Sequence, residues 1–315
     1  MGAAPMARWV RPGAILVATD LNDLSRLMPF AVQHAAGSGA RLILLHVLPT
    51  SARMASDAAG LPYYDPTGEL EIADQALLPW CEFARYHKVG CDALVREGYA
   101  AQQITAAARQ FHADCVLLGT RSRSKLSKLL LGSVAEQVLR SVNLPVITVG
   151  PEAHLPVDAS QGPVVLHATT LRETSRPSAA LACQVAAAQH AKLLLLNVLP
   201  PRGSMERKEI PAELEELAFR ELRRLAASIA VEGCPEIEPV VVNGNPAIEI
   251  LAMAAERGAG MIVLGATHRS ALENLTRDRT VYRVLAHARC PVLTLREPLN
   301  QGAENQPHPE EISVS

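Results

Sequence analysis

The sequence predicts an α/β fold in two repeated copies, each a doubly wound, five-stranded parallel sheet flanked by helices. Three observations predict it. The chain resembles itself at long range: CVLLG at 115–119 matches MIVLG at 261–265, and LPVITV at 144–149 matches CPVLTL at 290–295, both offset by 146 residues. Within each copy, short apolar runs rich in Leu and β-branched residues are separated by segments of helical periodicity. The runs do not alternate polar with apolar, which is the pattern of strands covered on both faces.

In chain order, the first copy has strand segments at AILVAT (14–19), RLILLHV (41–47), a weaker CDALVRE (91–97), DCVLLG (114–119) and PVITV (145–149). Between them, Leu24, Leu27, Met28, Ala31 and Ala35 share one helical face, as do Ile104, Ala107, Ala108 and Phe111, and later Val134, Val138 and Leu139. The order β-α-β-α-β-α-β-α-β with right-handed crossovers puts helices on both faces of a parallel sheet. Upstream, LLHVLP (44–49) matches LLNVLP (195–200) at offset 151, and Ala18-Thr19 matches Ala168-Thr169 at offset 150. The first copy therefore carries a few extra residues, expected in the loop from Ser51 to Gly68. A repeat this long means two homologous domains and not a solenoid, whose units are far shorter. The domains are read as 1–152 and 164–298, joined by a linker at 153–163 rich in Pro, Gly and polar residues; the polar, acidic tail at 299–315 is expected to be disordered. The last strands, Pro145–Val149 and Pro291–Leu295, would leave apolar edges, and the two copies can pair there within one polypeptide.

Composition narrows the function. Of 315 residues 49% are hydrophobic and only 3% aromatic, so Val, Leu, Ile and Ala must fill two cores of ordinary size. A formal net charge of −2 offers no bulk attraction to nucleic acid. The six cysteines, Cys81, Cys91, Cys115, Cys183, Cys234 and Cys290, form no CxxC pair or other metal-ligand spacing and read as reduced thiols. No apolar run suits a signal peptide or a membrane span, so a soluble, cytoplasmic protein is expected.

In an open α/β sheet, ligands bind beyond the carboxyl ends of the strands, where the strand order switches. The residues there are Thr19-Asp20, His46-Val47-Leu48 and the segment GTRSRSKLSKLLLGS, Gly119 to Ser133. Gly119 allows a tight turn and close approach of the backbone to a ligand. Gly132-Ser133 precedes a helix starting near Val134; Ser133 is a candidate N-cap, and the free N–H groups of the first turn can hold phosphate oxygens. Arg121, Arg123, Lys125 and Lys128 lie nearby, as a phosphate-binding run or a solvated loop. Asp20 is either a turn residue ahead of the Leu24 helix or an acceptor for an adenine amine or ribose hydroxyl. For His46, and equally for His167 and His268, packing at the sheet edge outweighs a catalytic role. Asn243-Gly244-Asn245 reads as a turn into a helix beginning at Pro246.

The order Gly119, two residues, Ser122, nine residues, Gly132-Ser133 resembles the nucleotide loop of the ATP-binding universal stress proteins. With the first-strand Asp, the HVLP strand end and the terminal LPVITV, the resemblance extends over about 280 residues. It implies an adenine-nucleotide alpha-hydrolase-like fold with ATP, accompanied by Mg2+, over the strand ends. Carried across, it implies binding roles for Ala18, Thr19 and Asp20 at the first strand end, with Asp20 on adenine or ribose, and for Val47 packed on adenine. Gly119, Thr120, Arg121 and Ser122 would wrap the ribose and phosphates; Gly132, Ser133 and Val134 would bind the phosphates. Ser122 departs from the family's Gly; a positive φ there would cost Ser about 1 kcal/mol.

The second copy keeps Gly265, but His268 stands at the second Gly position, Asp278-Arg279 replace the Gly-Ser, and Thr170 replaces Asp20. A carboxylate at that helix start would occupy the free N–H groups and repel a phosphate about 4 Å away by roughly 4 kcal/mol. Copy two is thus expected not to bind ATP in the same way. The first functional expectation is a nucleotide-binding stress or regulatory protein with little or slow ATP hydrolysis, an intramolecular pseudo-dimer, and a possible homodimer. The alternatives are a scaffold of the same fold acting through protein contacts, and an adenylating enzyme, for which no loop of this chain argues.

Overall fold

The structure, a computed structural model, describes residues 12–49, 67–120, 131–154, 163–200, 212–230, 236–267 and 279–297. The first copy is built on β1 (Ala14–Thr19), β2 (Arg41–Leu48), β3 (Cys91–Glu97), β4 (Cys115–Gly119) and β5 (Val146–Val149). All six residues of β1 are buried, as an apolar run in the middle of a two-sided sheet requires. The intervening helices are α1 (Leu24–Ser38), α2 (Thr67–Tyr86), α3 (Ala100–Gln110) and α4 (Ser133–Ser141). The second copy repeats the order with β6 (Val164–Ala168), α5 (Arg176–Ala188), β7 (Lys192–Leu199), α6 (Ala212–Ile229), β8 (Ile237–Asn243), α7 (Pro246–Glu256), β9 (Ala259–Thr267), α8 (Arg279–His287) and β10 (Val292–Glu297). The expected extra residues of copy one mostly fall outside the described residues, although Thr67 and Gly68 already belong to α2.

All ten strands form one sheet in the order β3-β2-β1-β4-β5-β10-β9-β6-β7-β8. Pairing is parallel within each copy. Between copies, β5 and β10 run antiparallel, with Val146, Ile147 and Thr148 opposite Thr294, Leu293 and Val292. Each copy thus covers the other's apolar edge, as the sequence anticipates. Strand alternation sends Ile15 and Val17 to one face and Leu16 and Ala18 to the other. The first face carries one core running through both copies, from Leu27 and Leu44 to Val263 and Leu293; the opposite face carries a separate core in each.

The turn read at 243–245 holds. The N-cap Asn245 side chain accepts the Ala247 and Ile248 N–H groups at 3.2 and 3.4 Å ahead of α7, whose first residue is Pro246. The faces read for α1 and α3 are buried, except that Phe111 lies just past α3 and only packs against the core. Val134 departs from its expected face. At 36% exposure it sits in the first turn of α4, while Val138 one turn later is fully buried. The five described cysteines, all but Cys234, are buried and form no disulfide.

His167 is a second correction. It stands on β6, paired on both sides by β9 and β7, and is 0% exposed, not at a sheet edge. Its Nδ1–H donates to the Val263 carbonyl at 3.0 Å, and its buried Nε2 has no hydrogen-bond partner. Burial pushes its pKa from 6.5 down to about 4, against the smaller opposing effect of the Val263 bond. The ring is neutral in the folded protein, while the unfolded chain takes up a proton below pH 6.5. Stability is therefore complete above pH 6.5 and falls as the pH drops toward 4, with about 3 kcal/mol lost from this group. Urea unfolding across that range checks this: a slope toward lower stability is expected in the native chain, and a shallower one in His167→Phe.

Candidate functional site

The site grows out of the turn after β1. Thr19, the last residue of β1, accepts the Leu21 N–H on Oγ1 at 2.9 Å and donates the same hydroxyl to Asp23 Oδ1 at 2.6 Å. Its carbonyl accepts Nδ1–H of His46, on β2, at 2.9 Å, which fixes the ring's tautomer. These bonds hold Leu21 at φ 71°, a left-handed conformation that a leucine adopts only at a cost. Copy two repeats the device: Thr169 Oγ1 accepts the Leu171 N–H at 3.1 Å, Leu171 has φ 59°, and Asn197 in place of His46 donates to the Thr169 carbonyl at 2.8 Å.

Asp20 is half-buried in this turn, with Oδ1 accepting the Asn22 N–H at 2.9 Å. Asp23 occupies the N-cap position of α1 but makes no side-chain cap. Its carboxyl is turned inward against Gly119, where a Cβ would overlap Oδ2. Burial raises the Asp23 pKa above the usual range and the charge of Asp20 adds to this; the Thr19 hydroxyl and Arg26 act in the opposite direction. Gly119 is needed for this close approach: it ends β4 and does not adopt a positive φ. The space a side chain would take there is filled by the chain's own carboxylate, while Gly119 still borders the cavity.

Opposite lies the start of α4. Gly132 is its N-cap, with φ −62° and ψ 142°, and Ser133 is the first helical residue, so the candidate Ser133 cap is corrected by one position. The Gly132 N–H donates to the Thr120 carbonyl at 2.7 Å. The first helical bond runs from the Glu136 N–H to the Gly132 carbonyl at 3.0 Å. The N–H groups of Ser133, Val134 and Ala135 consequently have no carbonyl within the helix to bond, and the partial positive charge of the helix start is directed outward.

Between these walls is a cavity of about 690 Å³ at the carboxyl ends of β1, β2 and β4. Ala18, Thr19, Asp20, Val47, Gly119 and Gly132 all line it, and so does Val134. Thr120 is 1% exposed, beneath the surface, and acts through its carbonyl. Ser133 is exposed at the head of α4. Arg121, Ser122 and the rest of the basic run lie outside the described residues, as do His268 and Asp278 of copy two. The sequence reading missed Asp23, whose position reads as an ordinary helix cap, and Glu69, Ile72 and Ala73, which bring α2 into the wall. No short-range pattern marks these, because α2 reaches the site only by packing. His46 lines the wall too, as an orienting group for Thr19.

A family model described as "Universal stress protein family" matches the chain twice, over residues 13–150 and 164–296. A universal stress protein of Methanocaldococcus jannaschii is 32% identical over 101 residues, which are 32% of this chain and 57% of that protein. Universal stress protein G of Shigella flexneri is 32% identical over 141 residues, 43% of this chain and 97% of that protein. Among solved structures, a universal stress protein of Archaeoglobus fulgidus shares the fold across both copies: TM-score 0.69, 21% identity, 91% of this chain and 97% of that one.

The contact between Gly119 and Asp23 makes a sharp expectation. Gly119→Ala forces the carboxyl out of its niche and is expected to lower stability by about 1–3 kcal/mol, read by urea unfolding. An unchanged midpoint would mean that the contact is not close.

Proposed function

This chain belongs to the universal stress protein family, and we propose that its first copy, 1–152, binds one adenine nucleotide, ATP, at the carboxyl ends of β1, β2 and β4. The observation that carries the proposal is the cavity itself. A carboxylate-bearing turn, an apolar strand end and the open first turn of a helix face one space of about 690 Å³, within the range of small-molecule sites. Asp20 accepts from the adenine amine or a ribose hydroxyl, Val47 packs on the base, and Gly119 lies along the ribose. The N–H groups at the head of α4 and the side chains of 121–128 receive the phosphates. Magnesium comes with the phosphates and keeps most of its water; among the described residues no group of three or more His, Cys, Asp or Glu gathers to hold a metal.

Copy two, 164–298, joined through 153–163, is proposed to hold no ATP in this manner. Thr170 replaces Asp20 and turns to Ser175, its Oγ1 3.1 Å from Ser175 Oγ. In sequence, Asp278 stands at the head of α8, where the phosphates would lie. The role that fits is a cytoplasmic stress-response regulator that retains its nucleotide and turns it over slowly. Among the described residues no helix is long and apolar enough to cross a membrane.

Equilibrium binding tests this. One ATP per chain is expected, weakened about 10-fold by Asp20→Ala through loss of one hydrogen bond. Gly132→Asp, which places a carboxylate at the phosphates, is expected to weaken it about 1,000-fold. Two nucleotides per chain, or none at saturating ATP and magnesium, would overturn the assignment; none would favour a scaffold acting through protein contacts.

A further inference from the structure

Away from the cavity, two thiols of the first copy meet. Cys81 lies in the last turns of α2 and Cys91 opens β3, with their sulfur atoms 2.9 Å apart. They are 1% and 3% exposed. The chain between them is held firmly. Lys88 has φ 63°, the Val89 N–H donates to the Ala84 carbonyl at 3.0 Å, and the Gly90 carbonyl accepts the Leu42 N–H at 2.8 Å. Arg85 Nη2–H bridges back to the Cys91 carbonyl at 2.8 Å.

The second copy serves as an internal control. The buried positions Ala73, Leu77 and Ala84 of α2 correspond to Ala218, Leu222 and Ile229 of α6, so Cys81 corresponds to Ala226; the start of β3 corresponds to that of β8, so Cys91 corresponds to Ile237. The same packing is made there without sulfur. The fold therefore does not need two cysteines at these places, yet copy one brings them into contact.

We propose that Cys81 and Cys91 are a redox-active dithiol that closes to an intrachain disulfide with a peroxide as oxidant. A disulfide needs a sulfur separation of about 2.0 Å, so closure requires a further approach of only about 0.9 Å. Cys81 is the attacking sulfur. The Cys91 thiol's hydrogen bond lowers its pKa and Arg85 helps, against burial. Cys81 sulfur bonds to a peroxide oxygen as the O–O bond breaks, and the departing hydroxide takes the Cys81 proton to leave as water. The Cys91 sulfur then bonds to Cys81 as the S–O bond breaks, and that hydroxide leaves with the Cys91 proton as a second water. Two thiols lose two electrons and one peroxide becomes two waters. Burial selects the oxidant: β3 lies at one edge of the sheet, and its local opening admits a small neutral peroxide far more readily than a bulky disulfide reagent.

The test treats the full chain with hydrogen peroxide, blocks remaining thiols under denaturing conditions, and maps the products without reductant. Trypsin cuts at Arg85 and Lys88, between the two cysteines, so a disulfide holds two peptides together. The expected result is an intact mass lower by two hydrogen atoms, a linked pair containing Cys81 and Cys91, and reversal by a thiol reductant; Cys81→Ala, which copies the residue of α6, abolishes the link. Oxygen adducts on Cys81 without the linked pair, unchanged thiols, or links formed indiscriminately with Cys115, Cys183 or Cys290 would overturn the proposal. The native-chain map decides this even if the variant fails to fold.

Discussion

A parallel strand that must hand its chain to a helix has to bend sharply where its last carbonyl and amide lose their ladder partners. In both copies a threonine solves this problem. Its hydroxyl takes the amide two residues ahead, and its carbonyl is held by a side chain from the neighbouring strand, His46 in one copy and Asn197 in the other. Two different side chains doing one job indicate that the requirement is a buried donor at that point and not imidazole chemistry. In copy one the same hydroxyl also reaches Asp23. One residue thus fixes the left-handed leucine, the direction of Asp20 and the inward turn of Asp23, and the floor of the cavity follows from it.

Much of this was legible in the chain. The strands announced themselves because burial on both faces leaves uninterrupted apolar runs, and all five strands of copy one fall within two residues of their expected limits. The join between copies was legible because an apolar terminal strand needs a partner. Other points were not. Periodicity placed Val134 on a buried face, since it reports the direction of a side chain but not where the sheet beneath the helix ends. His167 looked like a strand-end residue; the pairing of β6 with both β7 and β9 puts it in the interior. Gly119 suggested a turn, but the reason for glycine is the carboxylate of Asp23, four residues past Thr19, which reaches the end of β4 through three-dimensional packing.

The two copies are not equivalent where they meet. Gly150, just beyond β5, lets the end of α8 press close: a Cβ there would stand 3.2 Å from the Ala288 carbonyl and 3.5 Å from that of Leu285. The corresponding position in the second copy is Arg296, still within β10 and paired with β9, which instead reaches Asn143 at 3.0 Å. The duplicated sheet edge is therefore symmetrical in its backbone pairing and asymmetrical in the side chains that seal it, as expected when both halves lie in one polypeptide and each position can change independently.

That asymmetry gives the second copy a structural part in the first copy's site, even though its own loop has changed. Leu131, just ahead of α4, and Leu139, within it, both pack against the core of copy one and that of copy two. The Tyr282 hydroxyl of α8 donates to Glu136 Oε1 at 3.5 Å, and Glu136 also pairs with Arg140 at 2.7 Å. Glu136 is an acid in the first turn of the helix whose open amides face the cavity. Drawn toward Arg140 and Tyr282, its charge is partly neutralised on the side away from the helix start. A helix start can hold its direction only if something braces its flank, and the brace here is the other copy. The second half is therefore part of the first half's architecture, tied to it by the continuous sheet and the shared contacts on α4.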